Sequence, residues 1–126
     1  MPPANFRVIQ GDVTDMAAVY RDAHATVCCF EAGYGKSAPN SVVEGLAAGR
    51  PALLTDTCGI ADLVADWQAG VVTQRSAEAL AQGVDDLRRG YAAASAQARR
   101  LAEEEFNSRR ALERYARLYR QLAAQR

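Results

Sequence analysis

Residues 25–73 read ATVCCFEAGYGKSAPNSVVEGLAAGRPALLTDTCGIADLVADWQAGVVT, and the order of strand and helix signals within them decides the fold. Ala25–Phe30 is a continuous apolar run of strand length, as expected for a strand buried on both faces. Pro51–Thr55 and Gly70–Thr73 read as two more strands. Between the first two, Glu31–Pro39 is a glycine-rich loop, and Asn40–Ala48 is a helix with Val42, Val43, Leu46 and Ala47 on its buried stripe. Gly49 is suited to the left-handed position that stops it. Gly59–Trp67 reads as the next helix. Strands and helices alternating through connections this short give a parallel sheet with right-handed crossovers.

Working outward, Phe6–Gln10 reads as a further strand. Thr14 or Asp15 caps a helix through about Asp22, with Met16, Val19 and Tyr20 on one face. Beyond Thr73 the pattern is helical. Ser76 caps a helix striped by Leu80, Val84 and Leu87, and Ala92–Phe106 is alanine-rich. Asn107 opens a terminal helix with Leu112, Tyr115, Tyr119 and Leu122 at three- and four-residue steps. Its arginines, Arg109, Arg110, Arg114, Arg117 and Arg120, read as a solvated face, or as a docking surface for a lipid headgroup or another domain. The expectation is one α/β domain over residues 1–126, a three-layer α/β/α arrangement with a short parallel sheet of about four strands and C-terminal helices.

The chain has 126 residues, enough for one core. Its 15 basic residues balance 15 acidic ones, so no overall field points to nucleic acid or an anionic membrane. Cys28, Cys29 and Cys58 include an adjacent pair and have no C-x-x-C or Cys/His spacing, which favours reduced thiols over a disulfide framework or a zinc site. Neither a metal nor a cofactor is expected. No apolar run approaches the roughly 20 residues that span a bilayer, and Met1-Pro2-Pro3 lacks a signal-peptide layout. A cytoplasmic protein is expected.

Ligands of open parallel sheets sit beyond the carboxyl ends of the strands. The loop Glu31–Pro39 lies there and runs directly into a helix. Glycines such as Gly33 and Gly35 let backbone approach a ligand, free amides at the helix start favour phosphate, and Lys36, the single lysine, adds a mobile cation. Gly35-Lys36-Ser37 is not the tail of a triphosphatase phosphate loop. That motif needs glycine at position 30, which is Phe30, and Pro39 interrupts the helix that should follow.

Pro39–Val64 resembles the signature region of retaining glycosyltransferases of the group 1, or family 4, type, whose form is E-x7-E-A-x-A-x-G-x-P-V followed by two apolar residues and [ST]-x-x-G-G. Those enzymes have two Rossmann-like domains, the GT-B architecture, and the C-terminal one binds the nucleotide sugar. Phe6–Asp12 is similar to the family's V-x-F-x-G strand, and Met16–Ala25 to its Y-x-x-A-D helix. The resemblance implies that Glu44 binds the ribose hydroxyls, and that amides around Asn40, Ser41 and Val42 hold the pyrophosphate. It also implies that Gly35, Lys36 and Ser37 lie near the phosphates, with Cys58 and Gly59 of the loop Thr57–Ile60 lining the cleft.

Three positions depart from the family pattern. Lys36 stands where the first glutamate is usual, with Glu31 five residues too early to replace it. Cys58 stands for a glycine, and His24, read as a structural residue at a helix-to-strand junction, for an aspartate. Ser41-Val42-Val43-Glu44 also reads as a capping box, which gives Glu44 a purely structural alternative.

The family's C-terminal domain normally opens with a strand and helix carrying an arginine and a lysine that clamp the diphosphate. The chain is expected to begin after them and to lack the acceptor-binding N-terminal domain. Its partners would be a nucleotide-diphosphate sugar and, through that domain, a saccharide or lipid-linked acceptor, as in polysaccharide biosynthesis. The chain alone would be inactive. The other class of reading is a non-catalytic α/β binding or assembly module.

Overall fold

The computed structural model describes residues 1 and 3–125. Three strands form one parallel sheet: β1 (Thr26–Cys28), β2 (Ala52–Thr55) and β3 (Gly70–Thr73), in the order β1-β2-β3. The helices are α1 (Met16–Asp22), α2 (Asn40–Ala47), α3 (Ala61–Asp66), α4 (Ala77–Arg89), α5 (Tyr91–Glu105) and α6 (Ser108–Ala124). This is a Rossmann-like α/β/α arrangement with a short open sheet.

Alternation along β2 divides the core. Ala52 and Leu54 face a cluster built from Val42 and Leu46 of α2, Val64 of α3 and Leu101 of α5. Leu53 faces the other way, toward Leu87 of α4 and Ala94 of α5. β2 is buried at every position, as the central strand of a covered sheet should be.

Local chemistry sets the helix ends. Asp15, the second of the two expected caps, accepts from the Ala18 amide at 2.9 Å. Ser76 accepts from Ala79 at 3.1 Å, and Asn107 from Arg109 at 2.9 Å. At the end of α2, Gly49 adopts φ 73°. Its amide donates to the Leu46 carbonyl at 2.9 Å and that of Arg50 to Gly45 at 2.8 Å, the paired bonds of a Schellman stop.

Four expectations are corrected. The sheet has three strands rather than four, because Phe6–Gln10 pairs with no strand and Phe6, Val8 and Ile9 are exposed. A strand needs a neighbour for its backbone groups, and that segment has none among the described residues. β1 is not buried on both faces. Val27 is 63% exposed, because α4 packs over β3 and β2 and leaves β1 bare on that side. Ala47 is exposed, and Gly45 is buried in its place, since the Thr26 side chain packs where a Gly45 Cβ would stand. Finally, Ser41 and Glu44 form no capping box. Pro39 holds the cap position before Asn40, and no side chain bonds to the first amides of the helix.

Candidate functional site

The loops that leave the three strands converge at the carboxyl end of the sheet. Thr57, after β2, donates its hydroxyl to the Phe30 carbonyl after β1 at 2.6 Å. That hydroxyl has one proton, so Thr55 is the donor in the 2.8 Å contact between Thr55 Oγ1 and Thr57 Oγ1. Arg75, after β3, pairs with Glu31 at 3.1 Å.

Glycines allow the closest approaches. A Cβ on Gly59 would lie 2.6 Å from Ser37 Cα and 2.9 Å from its carbonyl oxygen, so backbone rests on backbone here. A Cβ on Gly35 would lie 2.8 Å from the Phe30 ring. The fold thus joins Gly35, Lys36 and Ser37 to the Cys58–Gly59 turn. Lys36 is exposed and forms no ion pair among the described residues.

Two of the expected site residues offer the site neither side chain nor amide, the Cys58 amide donating to the Thr55 carbonyl at 3.0 Å. The side chains of Val42 and Cys58 are buried in the core. The Val42 amide is also taken, donating to the Pro39 carbonyl at 3.0 Å. The Asn40 and Ser41 amides have no protein partner among the described residues, and both residues are exposed. Those two N–H groups are what the start of α2 offers to an anion.

Glu44 sits one turn after Asn40 on the same exposed side of α2. It lines an open cleft of about 630 Å³ with Met16, Tyr20 and Arg21 of α1, and with Ala48 and Arg99. The Tyr20 hydroxyl donates to Glu44 Oε2 at 3.0 Å. Burial, and then the Glu44 carboxylate that the hydroxyl donates to, push the Tyr20 phenol above its ordinary range. Sequence reading placed Tyr20 on an apolar face and missed this bond. The available signal was that a buried tyrosine hydroxyl usually finds a partner.

Arg50 was also missed. Its Nε donates to the Tyr20 carbonyl at 2.7 Å and its Nη2 to the Arg21 carbonyl at 2.8 Å, satisfying the end of α1. Tyr91 donates to the His24 carbonyl at 2.9 Å, and its ring meets that of His24 edge-on at 6.0 Å. Arg50 and Tyr91 hold the α1–β1 junction and, with it, the Tyr20 side of the cleft. His24 stands at the helix-to-strand junction, as expected.

The thiols differ in reach. Burial, and then the neighbouring Cys58, push Cys28 up to about 11, while Cys29 is exposed. Thiolate is the reactive form, so alkylation at pH 8 followed by peptide mapping should label Cys29 and leave Cys28 unmodified until the chain unfolds. The unfolded thiol ionises first. The contribution of Cys28 to stability is therefore complete below about pH 8.5 and is lost as pH rises to about 11.

Among the described residues no three His, Cys, Asp or Glu side chains group as metal ligands, and no helix is long and apolar enough to cross a membrane. Compared with known proteins, residues 4–89 match the profile of the family described as Glycosyl transferases group 1, which is more than half of the chain. No curated protein and no solved structure matches it.

Proposed function

The chain belongs to the group 1 glycosyltransferases, and we propose on that premise that it forms the nucleotide-sugar-binding part of a retaining enzyme acting on a saccharide or lipid-linked acceptor. One observation carries the reading: Glu44 and the open amides of Asn40 and Ser41 share one side of α2, about 6 Å apart along its axis at 1.5 Å per residue. That spacing suits a nucleoside diphosphate lying along the helix, with its ribose at Glu44 and its phosphates at the helix start. Lys36 and the backbone of Gly35, Ser37 and Gly59 close over the phosphates. Adjacent ribose hydroxyls present two donors, and a carboxylate can accept both.

The bare β1 edge, exposed Val27 and unpaired Phe6–Gln10 support the related reading that a further strand and helix complete this fold. On that reading the 126-residue chain binds donor weakly, with Kd on the order of millimolar, and transfers no sugar alone.

Titration calorimetry with ribonucleoside diphosphates, their 2′-deoxy counterparts and the bare nucleosides tests the proposal. The diphosphate should bind more tightly than the nucleoside. Lys36→Ala should weaken the diphosphate by roughly 1–2 kcal/mol more than the nucleoside. Equal loss for both ligands would remove Lys36 from the site. If no diphosphate binds even at several millimolar, the non-catalytic module becomes the better reading; the lysine in place of the first motif glutamate already favours it.

A further inference from the structure

The cleft beside Glu44 continues past it, away from the start of α2. Ala47 and Ala48 also line it. They follow Glu44 by three and four residues, on the same side of the helix and about 5 Å further along it. With Met16 and Ala17 of α1 they give this end of the cleft apolar walls. Besides Glu44, the charged residues that line the cleft are Arg21 and Arg99.

The hydrogen-bonding groups at this end are donors. Arg99 donates through Nε to Glu103 at 2.7 Å and through Nη1 to the Ala47 carbonyl at 2.8 Å. These bonds fix its guanidinium against the end of α2. A guanidinium carries five N–H groups and no acceptor, so the two bonds leave three donors open among the described residues. The nearby backbone acceptors are already engaged. The Tyr20 and Arg21 carbonyls accept from Arg50, and the Ala47 carbonyl from Arg99 itself. Glu103 stands outside the cleft lining.

We propose that this end of the cleft holds the nucleobase of the donor, and that Arg99 selects a base with a ring carbonyl where others carry an amino group. Uracil and guanine have that carbonyl; cytosine and adenine have the amino group. On the donor-site reading, from which this follows, the phosphates lie at Asn40 and Ser41 and the ribose at Glu44. The base comes next along α2, at Ala47 and Ala48. Its flat faces meet the apolar walls, where the Met16 sulfur suits an aromatic ring edge. A ring carbonyl accepts from the open tip of Arg99, as guanine does from arginine in the DNA major groove. An amino group in its place would point a donor at donors and give up water for no partner.

Nuclear magnetic resonance titration of the full chain with uridine, guanosine, cytidine and adenosine diphosphates tests this. The site is open, with the Arg99 side chain 59% exposed. The first two ligands should therefore bind only about five- to tenfold more tightly than the last two, with the Ala47 and Ala48 amides among those that shift. Arg99→Gln should erase the preference, because a carboxamide both donates and accepts. Uridine diphosphate then weakens while cytidine diphosphate holds or gains, with helicity unchanged by circular dichroism. Equal affinity for all four ligands overturns the base assignment. So does a preference for cytidine or adenosine diphosphate, or one that Arg99→Gln leaves intact. An equal loss for all four in Arg99→Gln also overturns it, since Arg99 would then attract only phosphate. In each of these cases the donor-site reading stands. If none of the four binds, that reading falls and the base assignment falls with it.

Discussion

Gly70→Ala is expected to break the sheet. Gly70 opens β3 directly opposite Ala52 of β2. A Cβ there would lie 1.9 Å from the Ala52 carbonyl oxygen and 2.7 Å from its nitrogen. Both atoms are backbone, and β2 is clamped on each face by the core, so neither strand can give way without losing its ladder bonds. Overpacking against flexible side chains typically costs 1–3 kcal/mol. Against an immobile backbone the cost should exceed about 3 kcal/mol, a large share of the 5–15 kcal/mol that holds a domain of this kind.

Urea unfolding followed by circular dichroism would show a much lower midpoint or no cooperative transition. Gly90→Ala provides the control. Its Cβ would find its nearest neighbour at 3.8 Å, and its φ of −103° is open to alanine. That change should leave stability within about 1 kcal/mol of the natural chain. Equal midpoints for the two variants would mean that the β2–β3 contact is looser than the geometry shows.

What could be read from the chain follows the range of the interaction concerned. Asp15, Ser76, Asn107 and Gly49 act within three or four residues of themselves, so their roles at helix ends were visible directly. The apolar runs at β2 and β3 were equally plain, because both strands are covered on each side by neighbouring elements. Phe6–Gln10 and Val27 show the limit of that reasoning. Their residue types are those of strand and core, yet pairing and burial depend on what lies beside them, which the local pattern does not encode.

The site divides in the same way. The glycine loop and helix start are contiguous in sequence and were found together. Tyr20 lies 24 residues from the Glu44 carboxylate it binds, and Arg50 is 30 residues from the Tyr20 carbonyl it holds. Neither pairing had a local signature. The S-x-x-E pattern even pointed the wrong way, because the helix is capped at Pro39, two residues before Ser41, which leaves Ser41 inside it.

That correction sharpens what Glu44 should do when changed. With no capping box, the carboxylate has one hydrogen-bond partner among the described residues, the Tyr20 hydroxyl on Oε2, and it lines the cleft. Glutamine at this position can still accept from Tyr20, so Glu44→Gln should alter stability little. Binding should change far more. A charge-assisted hydrogen bond contributes about 1.5–3 kcal/mol, so losing the charge should weaken a ribonucleoside diphosphate by roughly tenfold to a hundredfold and its 2′-deoxy analogue by less. Tyr20→Phe keeps the carboxylate but frees it to rotate, and should lower the preference for the ribonucleotide by a few-fold. The measurement is a pair of titrations, ribonucleotide and 2′-deoxy analogue, on the natural chain and both variants. If the natural chain binds diphosphate but ignores the 2′-hydroxyl, Glu44 serves only to tie α2 to α1, and the ribose contact must be sought elsewhere along the cleft.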